Sequence, residues 1–192
     1  MRLTIYNKIR LFLSFPFLIC HLLLYLISRN RRIINADILA WGRYRDFISK
    51  NHMFVSLASL LVFQPEFREQ FNLRIGRLSL LLVFFNNRGG YCDLGRCPFI
   101  GEGFVLMHGF GTVINGSAVI GKNCTILHNA TIGAGNGGSP VIGDNVYIGA
   151  GAIIIGNVIV GNNVKIGAGA IVVENIPDDS TVVSQKSKII CR

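Results

Sequence analysis

VIGDNVYIGAGAIIIGNVIVGNNVKIGAGAIV, residues 141–172, is the stretch whose reading decides the fold. An aliphatic residue opens a unit at every sixth position: Ile142, Ile148, Ile154, Val160, Ile166 and Val172. Glycine follows the opener at Gly143, Gly149, Gly161 and Gly167. A small or β-branched residue takes the fifth place at Val146, Ala152, Val158, Val164 and Ala170. A period of six matches neither the 3.6-residue turn of an α-helix nor a heptad. It suits short flat strands joined by tight corners, three to a coil, with the openers stacked as one internal column. Gly and Asn are expected at the corners, where a positive φ costs them little.

The period continues toward the N-terminus through Ile132, Ile126, Ile120 and Ile114, and again at Leu106 and Ile100. Gly101, Gly121 and Gly133 follow their openers, and Cys124 and Ala130 hold the fifth place. The expected fold class is therefore mainly β, a left-handed parallel β-helix of hexapeptide repeats over residues 90–183, preceded by an α-helical region. Two steps break the period. Leu106 to Ile114 is eight residues, adding two around His108-Gly109-Phe110-Gly111, and Ile132 to Ile142 is ten, adding four within Gly133–Pro140. Extra residues in a solenoid must leave the stack as loops, and such loops often line a binding face.

His108 and His128 are each third in their units and one coil apart, which puts both at one corner of adjacent coils, about 4.8 Å apart along the stack. Ala150 and Ala168 continue that column. Two polar rings above two small side chains form a groove able to hold an extended ligand. The competing reading makes these corner histidines, bonded to nearby carbonyls. His108 is flanked by an insertion and its glycines, which favours function; His128 stays open between the two readings. A zinc site needs three converging ligands, and His21 and His52 lie outside the repeat, so no metal is expected.

The rest of the chain has another character. Net charge is +9, hydrophobic residues make up 51%, charged residues 15%, and mean hydropathy is +0.48. Residues 1–100 hold 14 Lys and Arg against 5 Asp and Glu, while residues 101–192 hold 5 of each. Basicity next to apolar sequence, with no nucleic-acid motif, points to a membrane surface and away from DNA or RNA. Leu11–Ile27 is an apolar run broken only by Ser14, Pro16 and His21, with basic residues on both flanks. It lacks a small-residue cleavage site, so a signal peptide is disfavoured. Interfacial helix, buried cap helix and short membrane span all remain open for it. Residues 1–35 are read as this membrane-associating segment and 36–89 as a helical cap, with Pro65-Glu66 a helix start and Asn86–Gly90 the boundary. Residues 184–192 form a tail. Five cysteines (Cys20, Cys92, Cys97, Cys124, Cys191) show no paired spacing and are expected to be reduced thiols in a cytoplasmic protein.

Residues 90–183 resemble the hexapeptide acyltransferases, most closely the serine O-acetyltransferase branch and its relatives in bacterial surface-polysaccharide biosynthesis. The block from Asp93 to His108, followed by Gly109-Phe110-Gly111-Thr112-Val113-Ile114-Asn115-Gly116, is similar to the segment holding that branch's catalytic Asp–His pair. Asp37-Ile38 with Trp41, Pro65-Glu66-Phe67-Arg68 and Arg74-Ile75-Gly76 resemble the helical lead of the polysaccharide-type members.

The resemblance implies a homotrimer with sites between subunits, acetyl-CoA as co-substrate, His108 as general base and Asp93 as the carboxylate that orients it. It further implies a pantetheine arm along Ala150 and Ala168, and Lys188 at the CoA 3′-phosphate. Backbone N–H groups at Gly133 or Ala134 are candidates for the oxyanion. Two family positions differ. Met107 stands where the serine enzymes have Asp, and Gly138-Ser139-Pro140 where they have Arg-His-Pro, both associated with the amino-acid substrate. The expected acceptor is therefore a surface-polysaccharide sugar hydroxyl, on a saccharide or lipid-linked glycan at the inner face of a bacterial cytoplasmic membrane, contacted by His128 and Met107. Serine O-acetylation and a non-catalytic β-helix scaffold are the alternatives.

Overall fold

The computed structural model describes residues 4–82, 92–95 and 99–185. The Asn86–Gly90 boundary and Lys188 lie outside the described residues. The chain divides into two compact units, residues 1–91 with 101–106, and residues 92–100 with 107–192.

The first unit is helical: α1 (Ile5–Ile27), α2 (Arg31–Trp41), α3 (Met53–Phe63) and α4 (Pro65–Ile75), with 3-10 turns at Lys50–His52 and Gly76–Leu82. Local chemistry sets the ends. The Thr4 hydroxyl accepts from Asn7 N–H at 3.3 Å to start α1. Pro65 opens α4 with Glu66 in its first turn and Arg74 in its last, complementing the helix dipole. Ile38, Trp41, Leu57, Leu60, Phe67 and Phe71 fill the core, with the Trp41 and Phe67 rings edge to face at 6.1 Å.

A polar network runs through that core. Arg74 Nε donates to Asp37 Oδ2 at 2.8 Å, and an Arg74 terminal nitrogen donates to the Gly101 carbonyl at 2.6 Å. Asp37 Oδ1 also accepts from the N–H groups of Gly103 and Phe104, at 2.8 and 3.0 Å. Gln70 donates to the Phe104 carbonyl at 2.9 Å and accepts from Trp41 Nε1 at 3.3 Å. The residues quoted for the family's helical lead thus tie α2 and α4 to the 101–106 segment.

The second unit is a three-sided parallel β-helix. Its first sheet stacks β1 (Cys92–Asp93), β4 (Thr112–Ile114), β7 (Thr131–Gly133), β10 (Ile153–Ile155) and β13 (Ile171–Val172). The second stacks β2 (Phe99–Ile100), β5 (Val119–Ile120), β8 (Val141–Ile142) and β11 (Ile159–Val160). The third includes β6 (Thr125–Leu127), β9 (Tyr147–Ile148), β12 (Lys165–Ile166) and β14 (Thr181–Val182). The remaining strand, β3 (Val105–Met107), leads the chain to the His108 corner. Openers pair with openers, as in Ile126 with Ile148 and Ile166 with Ile148, and the residues from Ile100 to Val172 that open units are all buried.

Three details differ from the sequence reading. The repeat begins one unit earlier, because Cys92 and Asp93 pair with Thr112 and Val113, which places the buried Leu94 level with Ile114. It ends with a shortened step, since Ile176 bridges to Val160 only four residues after Val172. The glycines after the openers are not the positive-φ corners. A Cβ on Gly143 would lie 2.8 Å from the Gly161 carbonyl carbon, and one on Gly121 would lie 2.5 Å from the Gly143 oxygen. Close coil stacking requires glycine there. The positive φ falls instead on Asn123, Asn145, Asn163 and Asp179, between the second and third sheets, and on Gly111, Asn129, Gly151 and Gly169, between the third and first.

Candidate functional site

The corner that turns the chain from the third sheet into the first carries both repeat histidines. Its backbone geometry is a ladder. Asn129 N–H donates to the Phe110 carbonyl at 2.8 Å, Gly151 N–H to His128 at 2.9 Å, and Gly169 N–H to Ala150 at 2.9 Å. In this register Phe110, His128, Ala150 and Ala168 are successive members of one column. His108 shares their corner but not their register. Counted from Leu106 it matches His128; counted from Ile114, Phe110 does. The two inserted residues are absorbed between those counts, so the expected pairing of His108 directly with His128 is shifted by two residues.

The insertion is a tight turn. His108 has φ 52 and its carbonyl accepts from Phe110 N–H at 2.6 Å, while Gly109 accepts from Thr112 N–H at 3.1 Å. A non-glycine residue in the left-handed region costs about 1 kcal/mol. Such strain concentrates where side chains are aimed for a purpose. The imidazole of His108 is exposed and, among the described residues, makes no hydrogen bond. His128 is half-buried, and its Nδ1 is buried without a hydrogen-bond partner among the described residues.

Below the histidines the column is small and open. Ala150 is half-buried and Ala168 exposed, and a Cβ at either Gly151 or Gly169 would meet nothing within 4 Å. Met107, half-buried, ends the strand immediately before His108.

Asp93 lies on β1 with an exposed side chain, in register with Val113, five residues past His108. Its Oδ1 accepts from Gly95 N–H at 2.8 Å, and no hydrogen bond joins it to His108 among the described residues. Gly133, half-buried, ends β7, and the exposed Ala134 begins the second insertion. There Gly135 and Gly138 exchange backbone hydrogen bonds at 3.0 and 3.3 Å, and Ser139 Oγ donates to Asn115 Oδ1 at 3.2 Å. This glycine-rich hairpin leaves at the corner between the first and second sheets. On one chain the two insertions therefore sit at opposite edges of the first sheet. Among the described residues no group of three or more His, Cys, Asp or Glu side chains converges as metal ligands would.

Phe110 is the residue that sequence reasoning passed over. The signal was the eight-residue step, which does not say on which side of the corner the extra residues fall.

Comparison with known proteins agrees with this architecture. Residues 139–173 match the model of the bacterial transferase hexapeptide family, described as six repeats. The chain is 47% identical over 105 residues to probable serine acetyltransferase 5 of Oryza sativa subsp. japonica, a stretch covering 52% of this chain and 31% of that protein. It thus spans about a third of the length of that plant relative. It is 43% identical over 103 residues to the putative colanic acid biosynthesis acetyltransferase WcaB of Escherichia coli (strain K12), covering 52% of this chain and 63% of that one. The solved serine acetyltransferase of Neisseria gonorrhoeae in complex with serine superposes with a TM-score of 0.67 at 32% identity, covering 84% of this chain and 69% of that one. With its stacked six-residue units and these relatives, the chain belongs to the hexapeptide-repeat transferase family.

Proposed function

We propose that this protein transfers an acetyl group from acetyl-CoA to a sugar hydroxyl of a bacterial surface polysaccharide, with His108 as general base. The observation that carries the reading is the backbone of His108, held at positive φ on an insertion so that its imidazole stands free above the small Ala150–Ala168 column. A hydroxyl must lose its proton as it attacks a thioester, and imidazole suits that task near neutral pH. His108 takes the proton as the new C–O bond forms. The C–S bond then breaks, and the proton passes to the departing thiolate, leaving the ester and free CoA.

Asp93 is proposed to leave Gly95 N–H and orient the imidazole once substrates are bound, since catalytic hydrogen bonds often form only in the loaded complex. The pantetheine arm would follow Ala150 and Ala168, with Lys188 at the 3′-phosphate. The oxyanion would be met by backbone N–H groups at Gly133 or Ala134. Because those residues lie across the first sheet from His108, a neighbouring subunit of a homotrimer would have to bring them together.

The uncharged residues at two positions favour that acceptor over serine. Met107 and Gly138-Ser139 offer no charge to an amino acid's ammonium or carboxylate, and the half-buried His128 shares the corner of His108. The colanic acid relative favours a sugar, and the serine acetyltransferases favour serine. An assay of CoA release with purified protein separates them, using nucleotide sugars or lipid-linked glycans in one arm and serine in the other. Turnover of a glycan that falls roughly 10²–10⁴-fold in His108→Ala supports the proposal. Turnover of serine alone overturns the acceptor, and failure to bind CoA by thermal shift overturns the enzyme in favour of a scaffold.

A further inference from the structure

The first helix carries a surface that the proposed chemistry does not use. Along α1 the side chains Ile5, Ile9, Phe12, Ile19, Leu23 and Ile27 recur at intervals of three, four and seven, and all are exposed. At 3.6 residues per turn they share one face, so a 23-residue helix presents a continuous apolar stripe to its surroundings. The opposite face is committed to protein. Leu18, His21 and Tyr25 are buried there, with the His21 ring 6.1 Å from Phe71 of α4 and the Tyr25 ring edge-on to Phe54 of α3 at 5.7 Å.

Charge decides what covers the stripe. Residues 1–36 contain no Asp or Glu, and Lys8, Arg10, Arg29, Arg31 and Arg32 are all exposed at the two ends of the helix. A second copy of α1 laid along this face would bring those cations together. An anionic bilayer would neutralise them while taking up the apolar residues. A span is disfavoured, because crossing the bilayer would strip α1 of its ring contacts with α3 and α4.

We propose that α1 lies in the plane of an anionic membrane surface, with the Ile5–Ile27 stripe immersed and the basic residues at lipid headgroups. The helix stays packed on α3 and α4 throughout, so the protein is attached to one leaflet.

The test uses the full chain and needs no acceptor or CoA. Co-sedimentation is measured with vesicles of pure phosphatidylcholine and of phosphatidylcholine with 30% phosphatidylglycerol, at low and high salt. Binding is expected to the anionic vesicles and to weaken with salt. Ile9→Glu/Phe12→Glu, which changes only exposed positions, is expected to lower it at least tenfold with the thermal melting curve unchanged. Lys8→Gln/Arg29→Gln should lower it roughly twenty-five-fold, about fivefold per cation, on anionic vesicles only. Release of bound protein by a carbonate wash supports an in-plane helix. Retention would show a span and overturn the proposal. Wild-type protein that ignores anionic vesicles overturns it too, as does an Ile9→Glu/Phe12→Glu variant whose assembly mass drops while vesicle binding persists, which would assign the stripe to a second copy.

Discussion

At His108 the conformation and the chemistry can be separated by substitution. Glycine takes a positive φ without the cost borne by an L-residue, so His108→Gly removes about 1 kcal/mol of backbone strain together with the imidazole. The expected outcome is a melting temperature equal to or above that of the wild type, with acetyl transfer lost. His108→Ala should lose the same activity without the gain in stability. If both variants melt well below the wild type, the imidazole and not the backbone holds the corner. How much of this was legible in the sequence differs by atom. The residue type and its place on an insertion were readable from the eight-residue step. Its left-handed backbone was not, because only a few per cent of non-glycine residues adopt it, histidine among the more frequent, and nothing local forces it there. Nor was Phe110's place above His128, which depends on the Asn129 N–H bond made one coil away.

Single coils and helices respond to pH and to charge through the groups they bury. Burial pushes the Cys124 thiol up to about 11, against an ordinary 9.0. In the unfolded chain the thiol ionises first, so its contribution to stability is complete below about pH 9 and is lost as pH rises toward 11. Two units correspond to about 3 kcal/mol. Cys124→Ala should remove that loss, since alanine fills the same fifth place at Ala130, Ala152 and Ala170. Denaturant unfolding at a series of pH values between 8 and 11 checks it, with parallel curves for the two proteins counting against the account.

In the helical unit, Arg74→Met leaves the Asp37 carboxylate buried beside Gly103 and Phe104 without its cation, at a cost of about 3–5 kcal/mol. Burial already holds Asp37 above the usual carboxylate range. The folded state therefore keeps that proton longer than the unfolded chain, and the variant's stability should fall as pH rises above about 4. Asp37→Asn in the same background should recover part of the loss, measured as a double-mutant cycle. Periodicity exposed the strands because one coil predicts the next. The Asp37–Arg74 pair has no such periodicity; its members are 37 residues apart and meet only because α2 and α4 pack. The last coil was similarly hidden, since the step from Val172 to Ile176 abandons the period.

For the whole molecule, the proposed trimer would tie assembly to activity through the outward face of the first sheet. Val113, Ile155, Ile171 and Val173 are exposed along it, with Ile171 at 67% and Val173 at 64%. That face joins the corner bearing His108 to the corner bearing the Gly133–Pro140 hairpin, which a single chain holds apart. If a second subunit of the proposed trimer completes the site, it should cover this apolar sheet. Ile171→Glu/Val173→Glu places two carboxylates on the face without touching an opener, so the internal column of Ile and Val is undisturbed. Light scattering should then report a smaller assembly than the wild type, with an unchanged far-ultraviolet circular dichroism spectrum. Acetyl transfer should fall with it, although neither residue adjoins His108. An assembly mass equal to that of the wild type would remove this face from the interface, and a monomer retaining full turnover would place the whole site on one chain.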